Sequence, residues 1–186
     1  MKKSTSGHKI DLITHPVRMR ILMALQGAEL TAQQIAALLT DVPASSIYRH
    51  VQKLVDAGLV EVVAERPVRG AVEKTLRVVT HGADLGPGEA QQMQLEDHRR
   101  ALLGFFSQLY SEFDRYLQRP DADSVQDIVG YRAITVYATD EEWLAAIQAM
   151  NAALLPLLNQ DKGEGRKRRR IASFTLPIFD DMEEQK

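Results

Sequence analysis

Apolar positions between residues 12 and 79 change period once, from helical to alternating. Val17, Ile21, Leu22 and Leu25 share one helical face, which predicts a helix starting near His15. Thr14 can cap it, and Pro16 suits the first turn, where a missing N–H costs nothing. Gly27 ends it. Thr31 is the next cap, and Gln34 three residues on completes a capping-box pattern ahead of Ile35, Leu38 and Leu39. Asp41-Val42-Pro43 is a turn, with Pro43 opening a third helix whose buried stripe is Ile47, Val51, Leu54 and Val55. Gly58 stands where a helix C-terminus favours glycine. From Leu59 to Val63 the chain is β-branched and reads as a strand. Arg66 to Gly70 reads as a hairpin loop and Glu73 to Val79 as the returning strand.

Upstream, residues 1–9 are polar and expected to be loose. Downstream, Gly82, Gly86, Pro87 and Gly88 mark a linker. Residues 89–118 then predict a helix of about 30 residues, with Leu102, Phe106, Leu109, Phe113 and Leu117 stepping by three and four. A seam that long needs a partner. Residues 120–130 are a polar connection. Two strands are expected around 132–138 and 170–176. Between them a helix over 140–158 carries Trp143, Ile147, Met150 and Leu154 on one side.

The expected organisation is therefore a winged helix-turn-helix domain over 1–82, then a linker and long dimerisation helix over 83–127. A small α/β region over 128–179 and a disordered acidic tail over 180–186 complete it. The fold class is mainly α with a small β component. Residues 1–80 carry 11 Lys and Arg against 7 Asp and Glu, while residues 81–186 carry 12 against 18. A basic first part and an acidic second part point to different partners for each. The chain has no cysteine, which removes disulfides, thiolate metal sites and thiol nucleophiles together. No apolar run approaches a membrane span and no secretory h-region follows Lys2 and Lys3, so a cytoplasmic protein is expected.

On a helical wheel the third helix points its core side near Ile47, and Arg49 lies about 200° away. Ser45, Ser46, Gln52 and Lys53 share that far side, and Tyr48 stands at the boundary. Hydroxyls, an amide and two cations are the groups that bond phosphate oxygens and base edges, with the small residues first, where a duplex comes closest. Arg49 can read guanine bidentately, and Lys53 suits a phosphate. His50, at the edge of the core, reads as a packing residue. Arg66 and Arg69 in the wing loop suit a narrow minor groove.

The run Ser45-Ser46-Ile47-Tyr48-Arg49-His50-Val51-Gln52-Lys53-Leu54-Val55-Asp56-Ala57-Gly58-Leu59-Val60 resembles the recognition helix and wing entry of ArsR-type repressors, and more loosely of MarR-type ones. His15-Pro16-Val17-Arg18-Met19-Arg20-Ile21-Leu22 is similar to the first helix of that family. The resemblance covers residues 12–79 and implies double-stranded DNA as a partner. Many ArsR-like proteins bind metals, and some carry for this an Asp-x-His pair answered by a later His. Here Glu96-Asp97-His98 is the nearest match and no His follows it, so no metal and no other cofactor is expected.

No catalytic motif is present, and Asp140-Glu141-Glu142 opens a helix, where the dipole explains acids. The expected protein is a non-enzymatic transcriptional regulator of bacterial type. It is a homodimer on a palindromic operator, built through Leu102, Phe106, Leu109, Phe113 and Leu117. Residues 128–179 either hold an apolar small-molecule effector, extend the dimer or meet another protein. The alternative is a DNA-associated partner-binding or structural module without an effector. The operator, the effector and the sign of regulation are open at this level.

Overall fold

The structure is a computed structural model and describes residues 5–68, 71–79, 87–158, 160 and 163–179. The chain divides into two compact units, Met1–Val129 and Gly130–Lys186.

The first unit starts with α1 (Thr5–Thr14), where a loose segment is expected from polarity. Ile10, Leu12 and Ile13 explain the difference: all three are buried in the core, and tertiary burial outweighs the polar start. Pro16 breaks the path, because the residue before a proline avoids helical backbone. His15 is accordingly extended (φ -67°, ψ 124°), and α2 (Pro16–Leu25) begins after it. His15, not Thr14, caps α2, its Nδ1 accepting from Val17 N at 3.2 Å. Thr14 closes α1 instead, its hydroxyl donating to Ile10 O at 2.9 Å.

Leu30–Thr31 forms β1, a strand too short to leave a pattern in the sequence. Thr31 and Gln34 then make the expected capping box on α3 (Ala32–Leu38). Pro43 is the N-cap of α4 (Ala44–Asp56) rather than its first residue. Gly58 takes φ 69°, which a side chain would strain, and turns the chain into β2 (Val60–Val68). β2 runs antiparallel to β3 (Ala71–Val78), which also pairs with β1, giving the order β1-β3-β2. The strands reach further than their alternating cores suggest. Arg66 lies on β2 opposite Glu73, and Pro67 opposite Val72, so Arg66 belongs to a strand and not to the loop. Arg69 and Gly70 lie outside the described residues, as do residues 80–86 of the linker and the tail 180–186.

Ile21, Leu25, Ile35, Leu39, Ile47 and Leu54 are fully buried and join α2, α3 and α4, with Leu76 closing the core from the sheet. The expected long helix is two pieces: a short α5 (Pro87–Ala90) and α6 (Leu95–Leu117). Asp97 causes the restart, since its carboxylate accepts from Gln94 N at 3.0 Å and caps α6 there. Asp97, Gly104 and Gln108 form the buried face of α6. Leu102, Phe106, Phe113 and Leu117, from the seam, stay exposed, and Leu109 is half-buried. α6 thus packs on its own unit through polar and small residues and turns its apolar side outward.

Among the described residues of the second unit, α7 (Asp140–Leu158) is the one regular element. The strands expected around 132–138 and 170–176 are absent, and those residues form no ladder among the described residues. None of the described residues from 130 to 179 is buried. One helix on two strands buries too little to hold itself together.

Gly104 is where α6 meets α2. A Cβ there would stand 3.0 Å from Pro16 Cα and 3.2 Å from Met19 Cβ, closer than packed carbons come. Gly104→Val is therefore expected to force the helices apart and cost about 1–3 kcal/mol, read as a lower urea midpoint of the full chain.

Candidate nucleic-acid interface

α3 and α4 are joined by residues 39–43, and a buried cation holds that turn. Arg20 on α2 is 5% exposed, in a helix otherwise apolar on that side. Its two terminal nitrogens donate to the Asp41 carboxylate at 2.6 and 2.7 Å. Its Nε reaches Gln108 Oε1 at 3.4 Å, and Gln108, with no exposed surface, donates onward to Glu112 at 2.8 Å. The Arg20 hydrogen bonds hold the Asp41 carboxyl below the usual carboxylate range. Arg115 of α6 donates to Leu38 O at the end of α3. The turn before α4 is thereby tied to both α2 and α6. Periodicity missed these residues because it scores Arg20 and Gln108 as polar and therefore outward. The available signal was an arginine inside the apolar stretch Met19 to Leu25, with an aspartate in the following turn.

α4 is pinned by Ile47, Val51 and Leu54. Its other side presents Ser45, Tyr48, Arg49, Gln52 and Lys53, all exposed, with Ser46 half-buried. Arg49 donates to Ser46 Oγ at 3.4 Å, and Gln52 donates to Asp56 Oδ1 at 2.7 Å. Both side chains lie along the helix and would swing to reach a duplex. Arg66 shares neither the helix nor the loop. It pairs across the hairpin with Glu73 at 2.9 Å, which offsets its charge. A groove of about 340 Å³ separates α4 from the hairpin, lined by Tyr48, Gln52, Val55, Val68, Val72 and Lys74 among others.

Beneath the polar side of α4, the His50 ring lies 4.6 Å from the His15 ring, tilted by 46°. His50 is buried, and its Nδ1 has no hydrogen-bond partner in the structure. Burial first, then His15, Arg18, Lys53 and Arg49, pull its pKa down to about 4. Burial and Arg18 lower His15 as well. Arg18, itself buried, donates to the Leu12 carbonyl at 2.7 Å and to that of Asp11, closing the end of α1. Both imidazoles are neutral spacers among cations. No group of three or more His, Cys, Asp or Glu placed to hold a metal exists among the described residues, and no described helix is long and apolar enough to cross a membrane.

The two histidines set the sign of a pH dependence. Their folded pKa values lie below the ordinary 6.5, so the unfolded chain takes up protons first as pH falls. The stability that the neutral rings contribute is complete above pH 6.5 and is lost on acidification from there toward about 4. Urea midpoints are expected to fall across that window, and His50→Leu is expected to flatten the slope. An equal slope in the variant would assign it to other groups.

Comparison with known proteins bears on this geometry alone. No curated protein matches the chain. The family model described as a helix-turn-helix domain matches residues 13–63, from the end of α1 into β2. With α3, the pinned turn, α4 and the β2–β3 hairpin in place, the chain carries a helix-turn-helix DNA-binding domain of the kind found in DNA-binding regulators.

Proposed function

We propose that this protein is an ArsR-like, non-enzymatic transcriptional regulator that binds a palindromic operator as a homodimer in the cytoplasm. One observation carries the reading. α4 is fastened to the core along one side and presents polar and cationic side chains along the other. Such a helix enters a major groove with its N-terminal residues nearest the bases. In this reading Arg49 contacts a base edge, Ser45, Ser46 and Lys53 contact phosphates, and Tyr48 and Gln52 border the groove beside the hairpin. Arg66 and Arg69 serve the adjacent minor groove. Arg66 must first leave Glu73, a pair exposed enough to give way at little cost.

One α4 reads few base pairs, and a two-fold pair doubles the reading. The outward side of α6, with Leu102, Phe106, Leu109, Phe113 and Leu117, supplies a surface for that pairing. Sequence-specific, salt-dependent binding separates a regulator from a DNA-associated structural module, which would bind duplexes of any sequence alike.

Selection from a random duplex pool is expected to recover a palindrome bound by two chains. At fixed salt, Arg49→Ala is expected to weaken specific binding by about 1–3 kcal/mol without lowering the melting temperature. Unchanged affinity would remove α4 from the interface. Phe106→Asp is expected to move self-association to higher protein concentration in light scattering, since Phe106 is 46% exposed and can be replaced without disturbing the core.

A further inference from the structure

Positive charge in the second unit is concentrated in one place. Residues 130–179 hold seven Lys and Arg against five Asp and Glu, although residues 81–186 as a whole are acidic. Five of the seven are consecutive: Arg166, Lys167, Arg168, Arg169 and Arg170. Unbroken basic runs of this length are a common signature of contact with nucleic acid.

The backbone fixes how these charges are presented. Arg166 N donates to Gly163 O at 3.1 Å and closes a tight turn. Gly165 takes φ 72° as the third residue of that turn, where a left-handed backbone favours glycine. The Arg166 side chain lies back over the turn, since a Cβ on Gly163 would stand 3.6 Å from its Nη1. From residue 166 onward the chain forms no helix, turn or bend as far as residue 179. Lys167, Arg168 and Arg169 are exposed along this stretch, and Arg170 is half-buried.

The spacing indicates the partner. A chain without helix or bend advances about 3.3 Å per residue. One strand of duplex DNA carries a phosphate about every 3.4 Å along the helix axis. The tract therefore presents positive charge at nearly the linear density at which a DNA strand presents negative charge. An acidic peptide would match it only with an equally unbroken run of carboxylates, whereas DNA of any sequence has the required spacing. The same chain also carries a helix-turn-helix DNA-binding domain, so duplex DNA is already its partner. Arg166 to Arg170 have interactions within the chain as well. For exposed cations such interactions are weak, and the release of counterions from DNA favours their exchange for phosphate.

We propose that Lys167, Arg168 and Arg169, flanked by Arg166 and Arg170, form a second, sequence-independent contact with the phosphate backbone of duplex DNA. This contact is separate from α4 and reads no base. A duplex offers phosphate along its whole length, so the contact requires no fixed seating of one unit against the other. Under the regulator reading it raises the effective concentration of DNA at α4.

The test is the salt dependence of binding by the full chain to a duplex of random sequence, read by fluorescence anisotropy. Lys167→Gln, Arg168→Gln and Arg169→Gln together are expected to reduce the slope of log affinity against log salt by about two to three, because each neutralised phosphate contributes about 0.9. Arg168→Lys with Arg169→Lys preserves the charge and is expected to preserve the slope. An unchanged slope in the glutamine variant overturns the contact. An equal loss in the lysine variant also overturns it, because charge would not be the cause. Poly-L-glutamate that displaces the chain as well as competitor duplex does, at equal concentration of charge, overturns the choice of phosphate. Selection from a random duplex pool is run beside these titrations. A recovered palindrome with an unchanged slope would overturn the tract alone, and a reduced slope with no palindrome would overturn the operator reading alone.

Discussion

A nearly buried guanidinium constrains the whole DNA-binding unit. Arg20 projects from α2 into a place with little access to solvent, and its charge must be met there. Asp41 meets it with two hydrogen bonds, which fixes the turn that aims α4. Gln108 meets it from α6, so the outer helix seats only in the register that brings that amide to Arg20. Gly104, one turn earlier, allows the approach by having no side chain where α6 crosses Pro16. Leaving a buried charge unmet costs about 3–5 kcal/mol, although the exposure of Asp41 to water moderates the figure here. The aim of α4 and the seating of the outer helix are therefore parts of one electrostatic arrangement.

The same economy of charge operates beneath the polar side of α4. Arg18, Arg49, Lys53 and Arg100 all bear on the space around His15 and His50. Two protonated imidazoles would add to a crowd of like charges. Burial and that crowd keep both rings neutral near pH 7, and they serve as packing between α2 and α4. Cationic character is thereby left to side chains that reach solvent, where phosphate can compete for them.

The two units differ in how they spend apolar residues. The first places most of its aliphatic side chains in a closed core and leaves an apolar stripe on α6 facing out. The second buries none of its described residues. Under the proposed function the stripe on α6 is the surface through which two copies pair, which would set the spacing of their two α4 helices.

Much of the DNA-binding half was legible in the residues alone. The periods of α2, α3 and α4, the Thr31–Gln34 box and the alternation of the hairpin are local signals, because each depends on neighbours within a turn or across a tight bend. The composition of the outer face of α4 was equally local. Other features depended on residues distant in the sequence. α1 forms against a core that polarity at its start conceals, and β1 exists only because Leu30 and Thr31 meet Leu76 and Thr75. Arg20, Asp41 and Gln108 read separately as ordinary polar residues, and their meeting spans 88 positions. The strands expected in 130–179 show the converse: local β propensity was present, but a strand also needs a neighbour. Sequence alone determined which segments favoured helix or strand and which side of α4 could face DNA. Tertiary structure decided which polar groups were buried together and which favourable segments found partners, because burial and strand pairing are properties of two surfaces, and a local pattern describes only one.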